Sequence, residues 1–117
     1  MNPKIDIEPK HRHILLAIFK EVVPDCQVWA YGSRVKGDSH DGSDLDLVLI
    51  QPEKGEAALK KLEALRRALV ESSLPILVQV MDWHRIPKSF REEIERQYVV
   101  LWEGKAGKES RGYGTWK

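Results

Sequence analysis

The chain has 117 residues, 42% of them hydrophobic, which is enough for one domain with its own core but not for a separate substrate domain as well. Its formal net charge of +1 makes binding to long nucleic acid, which needs a basic face, a poor first interpretation. The single cysteine, Cys26, excludes an internal disulfide and favours a reducing cytosol, and neither a signal peptide nor an apolar run of membrane-spanning length is present, so a cytoplasmic protein is predicted.

The first half of the chain is predicted to hold a helix, a strand and a short helical turn. After Pro9, the stretch "KHRHILLAIFKEVV" repeats apolar residues at four-residue intervals and so predicts an amphipathic helix. "QVWAYG" follows as a short strand rich in β-branched and aromatic residues, closed by Gly32. Residues 33–36 are predicted to form one helical turn with Ser33 as its N-cap, and residues 37–43 a loop.

The second half is predicted to alternate strands and helices. "LDLVLI" is a nearly continuous apolar run, typical of a strand covered on both faces, and "EAALKKLEALRRALVES" predicts the clearest amphipathic helix. "ILVQVMDW" predicts a third strand. Ser89 and Glu92 match the S-x-x-E capping box, which predicts a helix through about Gln97, and "YVVLW" predicts a fourth strand.

This order of elements predicts an α/β (α+β) domain over residues 1–103, with a small mixed β-sheet flanked by helices. Residues 104–117 are polar and rich in glycine, and they are predicted to form a flexible C-terminal tail. The sequence contains no visible internal repeat or low-complexity segment.

Two carboxylates stand at the head of the second strand. Because alternate side chains of a strand face the same way, Asp44 and Asp46 should lie side by side, with Leu45 on the other face. Two partly buried carboxylates repel each other and need a cation, and Mg²⁺ is the usual one for oxygen ligands. Waters or substrate phosphates fill the rest of its shell. Asp44 and Asp46 are therefore the candidate metal ligands and catalytic residues.

The end of the first strand has the composition of a phosphate site. Gly32 allows the backbone to approach a ligand closely, and Ser33 offers a hydroxyl at the start of a helical turn. Arg34 and Lys36 add positive charge, and these four residues are the candidate nucleotide-binding residues. A G-S pair or a D-x-D pattern alone is weak, but the two together, ten residues apart and each at a strand boundary, are far more specific.

The combined pattern G-S-x10-D-x-D, carried by Gly32, Ser33, Asp44 and Asp46, resembles that of the nucleotidyltransferase superfamily that includes DNA polymerase β. The short length resembles its minimal branch, the minimal nucleotidyltransferase (MNT) proteins. The stretches "VPDCQVWAYGSRVKGDSHDGSDLDLVLI" and "ILVQVMDWHRIPKSFREEIERQYVVLW" also look like family segments, so the resemblance covers most of residues 12–102.

The resemblance implies a nucleotidyltransferase fold and Mg²⁺-dependent transfer of a nucleotidyl group, usually AMP from ATP, with one or two metal ions. It also implies a partner, a helical HEPN-domain protein. In such pairs the HEPN protein is commonly a ribonuclease toxin and the MNT protein its antitoxin, and some MNT antitoxins adenylylate a tyrosine of the toxin. The acceptor, the base specificity and the choice between a homodimer and a hetero-oligomer stay open.

One position departs from the family pattern. The family normally supplies a third carboxylate from a later strand, and the hydrophobic frame puts that position at Gln79, which carries no charge. Asp82 is a possible substitute, but its odd separation from Gln79 predicts the opposite face of a regular strand. The alternative interpretation is therefore a catalytically weakened MNT protein that neutralises its partner by complex formation only. A stand-alone transferase for a small acceptor ranks last, because family members of that kind usually carry a further domain.

Overall fold

Residues 5–37 and 43–104 are described by the computed structural model. The helices are α1 (Pro9–Val22), α2 (Ser33–Lys36), α3 (Gly55–Val70) and α4 (Lys88–Arg96). The strands are β1 (Gln27–Tyr31), β2 (Leu45–Ile50), β3 (Val78–Asp82) and β4 (Val99–Glu103), and a 3₁₀ turn, Trp83–Arg85, follows β3. Most of the predicted loop, residues 38–42, and most of the predicted tail, residues 105–117, lie outside the described residues. No helix within the described ranges is long and apolar enough to cross a membrane.

The four strands form one mixed sheet in the order β3-β2-β1-β4. Strand β1 is antiparallel to both β2 and β4, whereas β2 is parallel to β3, with α3 between them in the chain. This topology confirms the predicted small mixed sheet with flanking helices. It also explains the apolar sequence of β2, because a central strand has neighbours on both edges and packed side chains on both faces.

The sheet separates two apolar clusters. On one face, Leu45, Leu47 and Leu49 of β2 pack with residues of α1 and α3, and all three are 0% exposed. On the other face, the alternate residues of β2 pack against β1 and α4, through Trp29 and Ile94. Because side chains alternate along β2, its even-numbered residues all lie on the α4 face of the sheet.

The starts of two helices differ from the prediction. Helix α2 has Gly32 as its N-cap, not Ser33, because Gly32 adopts φ 88° and ψ −158° and Ser33 is already helical. Helix α4 begins at Lys88, with Pro87 as its N-cap and no side-chain capping bond, so the predicted capping box is wrong. The extended Pro87 sets the start of α4, which puts Ser89 inside the first turn, beyond the cap position.

Strand β4 leads into Gly104, a residue that the prediction assigned to the tail. Gly104 is buried, its N–H donates to the carbonyl oxygen of Cys26 at 2.8 Å, and a Cβ there would collide with the carbonyl of Pro24. The indole Nε1 of Trp102 donates to the carbonyl of Val23 at 3.1 Å. The packing of the domain therefore reaches one residue further than the predicted boundary.

Strand β3 lies at an edge of the sheet, and an arginine covers part of its outer side. The N–H of Leu45 donates to the carbonyl of Leu77 at 2.9 Å, so the backbone of Leu77 faces β2. Three residues further on, the Val80 carbonyl faces away from β2. Arg66 of α3 donates to that carbonyl through Nε at 3.2 Å and Nη2 at 2.6 Å. A helix side chain thus supplies hydrogen bonds that a fifth strand would otherwise make.

Candidate active site

Three strand ends meet at one end of the sheet. Because β1 and β2 are antiparallel, the end of β1 lies beside the start of β2, and Tyr31 pairs with Asp46. Because β2 and β3 are parallel, Asp46 in turn pairs with Gln79. The structure therefore brings Asp44, Asp46 and Gln79 together, next to the turn that begins at Gly32. This is the grouping that the sequence motif and the strand alternation predict.

Gly32 leaves room for the Asp46 carboxylate. A Cβ on Gly32 would lie 2.5 Å from Oδ2 of Asp46, and φ 88° is a conformation that favours glycine. The Gly32 carbonyl accepts the N–H groups of Val35 and Lys36, both at 3.0 Å, and these bonds start α2. The missing side chain therefore lets the helical turn and the carboxylate pack directly against each other.

The carboxylate pair is only partly exposed, and its charges repel. Burial, and next the charge of Asp44, raise the pKa of Asp46 above its ordinary value. Burial, and next the charge of Asp46, raise the pKa of the neighbouring Tyr31 hydroxyl to about 12. Both shifts mean that this end of the sheet disfavours further negative charge, a preference that a bound cation would reverse.

Gln79 faces the carboxylates from the next strand. Its Nε2 donates to Oδ2 of Asp44 at 2.9 Å. An ionised carboxylate oxygen only accepts hydrogen bonds, so it is the amide nitrogen, not the amide oxygen, that faces it. Within residues 5–37 and 43–104, no three His, Cys, Asp or Glu residues are grouped so that they could hold a metal ion. Among the described residues, Gln79 therefore adds an amide, and not a third carboxylate, to the carboxylate pair on this face.

Asp82, the possible substitute for a third acid, lies on the opposite face of the sheet. It pairs in register with Leu49, and the pairing of β2 with β3 runs without a bulge from Leu45 to that point. Its side chain is 3% exposed, accepts a hydrogen bond from Nε2 of Gln51 at 3.0 Å and caps the 3₁₀ turn through the N–H of His84 at 2.9 Å. Its role is thus structural, because strand alternation keeps it away from Asp44.

Arg34, a candidate nucleotide-binding residue, is used by the fold. Its Nε and Nη2 donate to the carbonyl of Ser43 at 3.1 and 2.8 Å, and its Nη1 donates to the carbonyl of Asp6 at 2.8 Å. The residue is 8% exposed. Arg34 therefore anchors the backbone next to Asp44, whereas Lys36, on the same turn, is exposed. This contact could not be predicted from the sequence, since a guanidinium bound to backbone carbonyls has no sequence signature.

Tyr31 lies beside the candidate site, although the sequence predicts only that it belongs to the first strand. The structure places its half-buried ring beside Asp46, edge-on to Phe90 with 5.8 Å between the ring centroids. The signal was present in the sequence, because Tyr31 immediately precedes Gly32 at the end of β1. Its pairing partner, however, becomes known only with the register of the strands.

Comparison with known proteins gives matches that cover most of the chain. A family model described as polymerase beta, nucleotidyltransferase, matches residues 16–106. The chain is also 40% identical over 100 residues to a probable protein adenylyltransferase, MntA, of Haemophilus influenzae, and the match covers 86% of each chain. The matched residues include the carboxylate pair and the turn at Gly32.

Two solved structures have a similar fold. One is a toxin–antitoxin complex with AMP-PNP, which is 18% identical, covers 89% of this chain and 87% of that chain, and gives a TM-score of 0.58. The other is a tri-AMPylated HEPN toxin of Shewanella oneidensis in complex with an MNT antitoxin. It is 14% identical, covers 88% of this chain and 77% of that chain, and gives a TM-score of 0.55. Both likenesses support the described fold.

Proposed function

Because this chain belongs to the polymerase beta nucleotidyltransferase family, we propose that it transfers AMP from ATP to a hydroxyl of a HEPN-type protein and acts as the antitoxin of that partner. The observation that carries the proposal is the 40% identity, over 86% of each chain, to a probable protein adenylyltransferase. The acceptor class follows from the similar complex that contains a tri-AMPylated HEPN toxin. A cytoplasmic location, expected from the sequence, is part of the same proposal.

The reaction exchanges one phosphorus–oxygen bond for another. The partner's hydroxyl oxygen forms a bond to the α-phosphorus of ATP, the bond from that phosphorus to the bridging oxygen breaks, and pyrophosphate leaves. The hydroxyl proton is released. Asp44 and Asp46 are neighbouring carboxylates, the oxygen donors that Mg²⁺ prefers, so the pair fits such an ion. When bound, the ion would supply positive charge to the phosphate oxygens.

The turn at Gly32 and Ser33 is proposed to hold the nucleotide phosphates. In support, the turn packs against Asp46, so phosphates held there would lie close to an ion on the carboxylates. The Ser33 hydroxyl and the first N–H groups of α2 are the donors available to an anion. Lys36 is exposed on the same turn, and Arg34 contributes indirectly, by holding the backbone of Ser43.

The proposal is tested by incubating the protein with ATP, Mg²⁺ and the product of the neighbouring gene as the candidate HEPN partner, followed by mass spectrometry of the intact partner. The partner should gain the mass of one or more AMP groups. The variant Asp44→Asn/Asp46→Asn should give no such gain, while Glu63→Gln/Glu71→Gln, which removes two exposed carboxylates of α3 and its C-cap, should act like the wild type. An unmodified partner with the wild-type protein would contradict the proposal.

Neutralisation by binding alone is the second candidate, and the uncharged Gln79 beside Asp44 favours it. The two candidates separate in a growth assay in which the toxin is expressed with each form of this protein. AMP transfer predicts that Asp44→Asn/Asp46→Asn no longer protects the cells. Binding alone predicts that this variant protects as well as the wild type does.

A further inference from the structure

The contact between Gln79 and Asp44 limits how many divalent cations the site can hold. Gln79 pairs in register with Asp46 and donates through Nε2 to Oδ2 of Asp44 at 2.9 Å. An amide nitrogen in this role carries hydrogens toward the carboxylate and is no metal ligand. One of the two oxygens of Asp44 is therefore engaged by a hydrogen bond. This bond lies on the side of the Asp44–Asp46 pair that faces β3.

Within residues 5–37 and 43–104, a second divalent cation would find no carboxylate, histidine or cysteine of its own at this site. A nucleotide brings its own phosphate oxygens, so an ion shared between phosphates and the carboxylate pair has a full set of ligands. An ion placed away from the phosphates depends on the protein. Among the His, Cys, Asp and Glu side chains of the described residues, this face offers only Asp44 and Asp46, which the first ion would use, and no three such side chains are grouped to hold a metal ion.

We propose that Gln79 is a positioning residue that holds Asp44 by its amide, and that the site consequently takes one divalent cation with the nucleotide and not two. The inference rests on the proposed nucleotidyltransferase function. In the absence of a cation, the amide offsets part of the repulsion between Asp44 and Asp46 and keeps Asp44 in one orientation. In this role Gln79 would act through Asp44 and not on the substrate.

The number of bound ions tests this directly. The protein is titrated with Mn²⁺ in the presence of a non-hydrolysable ATP analogue, with calorimetry for the stoichiometry and electron paramagnetic resonance for coupling between neighbouring ions. The wild type should bind one Mn²⁺ and show no coupled signal. Gln79→Glu replaces the amide by a carboxylate of the same length, so it should bind two Mn²⁺ and show the coupled signal.

Two further variants separate positioning from charge. Gln79→Ala should still bind one Mn²⁺, but about threefold to tenfold more weakly, as expected when a residue that orients a metal ligand is removed. Ser73→Glu adds a charge in the exposed connection between α3 and β3 and should behave like the wild type. Gln79→Asp serves as a second added carboxylate, should Gln79→Glu fail to fold by circular dichroism.

Two Mn²⁺ ions on the wild-type protein would overturn the inference. So would a single ion of unchanged affinity in Gln79→Glu, Gln79→Asp and Gln79→Ala. Either result leaves the proposed AMP transfer standing, because transfer is measured on the partner protein. Conversely, a wild type that binds one ion and fails to modify its partner would overturn the proposed function and not this assignment.

Discussion

Gly32 satisfies two constraints at once: a positive φ of 88° and an Asp46 oxygen 2.5 Å from the place where its Cβ would stand. Gly37, at the other end of α2, shares only the first, with φ 90° and no atom of the described residues within 4 Å of its Cβ position. The two glycines therefore form a matched pair in which one contacts the candidate site and the other does not.

Replacing each glycine separates backbone strain from loss of the site. Gly32→Ala should lower the free energy of unfolding by about 2–3 kcal/mol and abolish binding of Mn²⁺ with an ATP analogue, because Asp46 must move. Gly37→Ala should cost about 1 kcal/mol and keep that binding. Urea unfolding and calorimetric titration measure the two effects. Equal binding by both variants would show that the packing of Asp46 on Gly32 is dispensable.

The raised pKa of Asp46 links the site to the pH dependence of stability. Below its ordinary value of 3.8 the carboxyl is protonated in the folded and the unfolded chain. As the pH rises from there through the higher folded-state pKa, the unfolded chain loses the proton first, and stability falls. Without metal, the free energy of unfolding of Asp46→Asn should therefore increase relative to that of the wild type as the pH rises from 3.5 to 7.

Urea unfolding of both proteins in EDTA, at several pH values across that range, measures this difference. The gain has a physical cause: the variant no longer ionises a partly buried group beside Asp44. A difference that stays constant with pH, or that shrinks as the pH rises, would contradict the account. The expected stabilisation and the expected loss of metal binding in the same variant would mark Asp46 as a residue kept for function at the expense of stability.

At the residue scale, the sequence predicted which side chains of the candidate site lie together but not the contacts that each of them makes. The spacing of the motif and the period of a strand predicted that Asp44, Asp46 and Gln79 share a face, because both depend only on local geometry. The contacts of Arg34 with the carbonyls of Asp6 and Ser43 join segments that are far apart in the chain. Composition identified a basic residue there, and only packing determines what it binds.

Among the elements, α3 is joined to two neighbouring connections by a lysine that lies between two carboxylates. Lys61 Nζ lies 3.0 Å from Oδ1 of Asp25 and 2.9 Å from Oε1 of Glu53, and its side chain is 19% exposed. Burial favours the neutral form of Asp25, but hydrogen bonds from Lys61 and Cys26 outweigh it and lower the pKa of that carboxyl. The ion pair between Lys61 and Asp25 therefore joins α3 to the connection between α1 and β1.

Removing the Lys61 ammonium group should destabilise the contact of α3 with that connection. Lys61→Met should lower the free energy of unfolding by about 1 kcal/mol at pH 7, a modest value because both carboxylates are about one-third exposed. The contribution of Asp25 is present above its ordinary value of 3.8 and is lost as the pH falls through the lowered pKa, so the penalty should shrink toward pH 3. Lys60→Met, at the exposed neighbouring position, is the control in urea unfolding. A penalty that is the same at both pH values would exclude an electrostatic origin.

The bounds of an element could be predicted where a run of apolar residues is interrupted on both sides by other residues. Strand β2 was predicted at its observed bounds, Leu45–Ile50, because its apolar run is interrupted on both sides. Strand β3 was predicted as 76–83 but is formed by Val78–Asp82, since the 3₁₀ turn capped by Asp82 begins directly after it. Helix starts were less predictable because they depend on the backbone conformation of Gly32 and Pro87, which composition does not reveal.

For the molecule as a whole, the polar and glycine-rich composition of residues 105–117 predicts that they add little to the packing of the domain. A chain truncated after Gly104 should therefore keep its free energy of unfolding within about 0.5 kcal/mol and bind nucleotide as the full chain does. A chain truncated after Tyr98 loses β4, including the buried Leu101, and should not fold. Thermal melting and titration with an ATP analogue compare the two. A large loss of stability in the longer form would assign residues 105–117 to the domain.

The sequence and the family resemblance predicted the class of fold, and the strand order had to come from the structure. Hydrophobic periodicity reports which face of an element is buried, but not which strand lies beside which. The order β3-β2-β1-β4 is what places Gln79 next to the carboxylates, through the parallel pairing of β2 with β3. That non-local pairing turns residues far apart in the sequence into a single site.

The arginine on the outer side of β3 bears on how the molecules behave toward one another in crowded solution. An uncovered edge strand exposes unpaired backbone N–H and C=O groups. These groups can pair with an edge strand of another copy, which leads to aggregation. Arg66 occupies the Val80 carbonyl, so a second copy would have to displace it before a strand could add there. Arg66→Ala should raise the apparent mass in light scattering at high concentration, whereas the exposed Arg67→Ala should not. One helix side chain would then limit self-association through the β3 edge of the sheet.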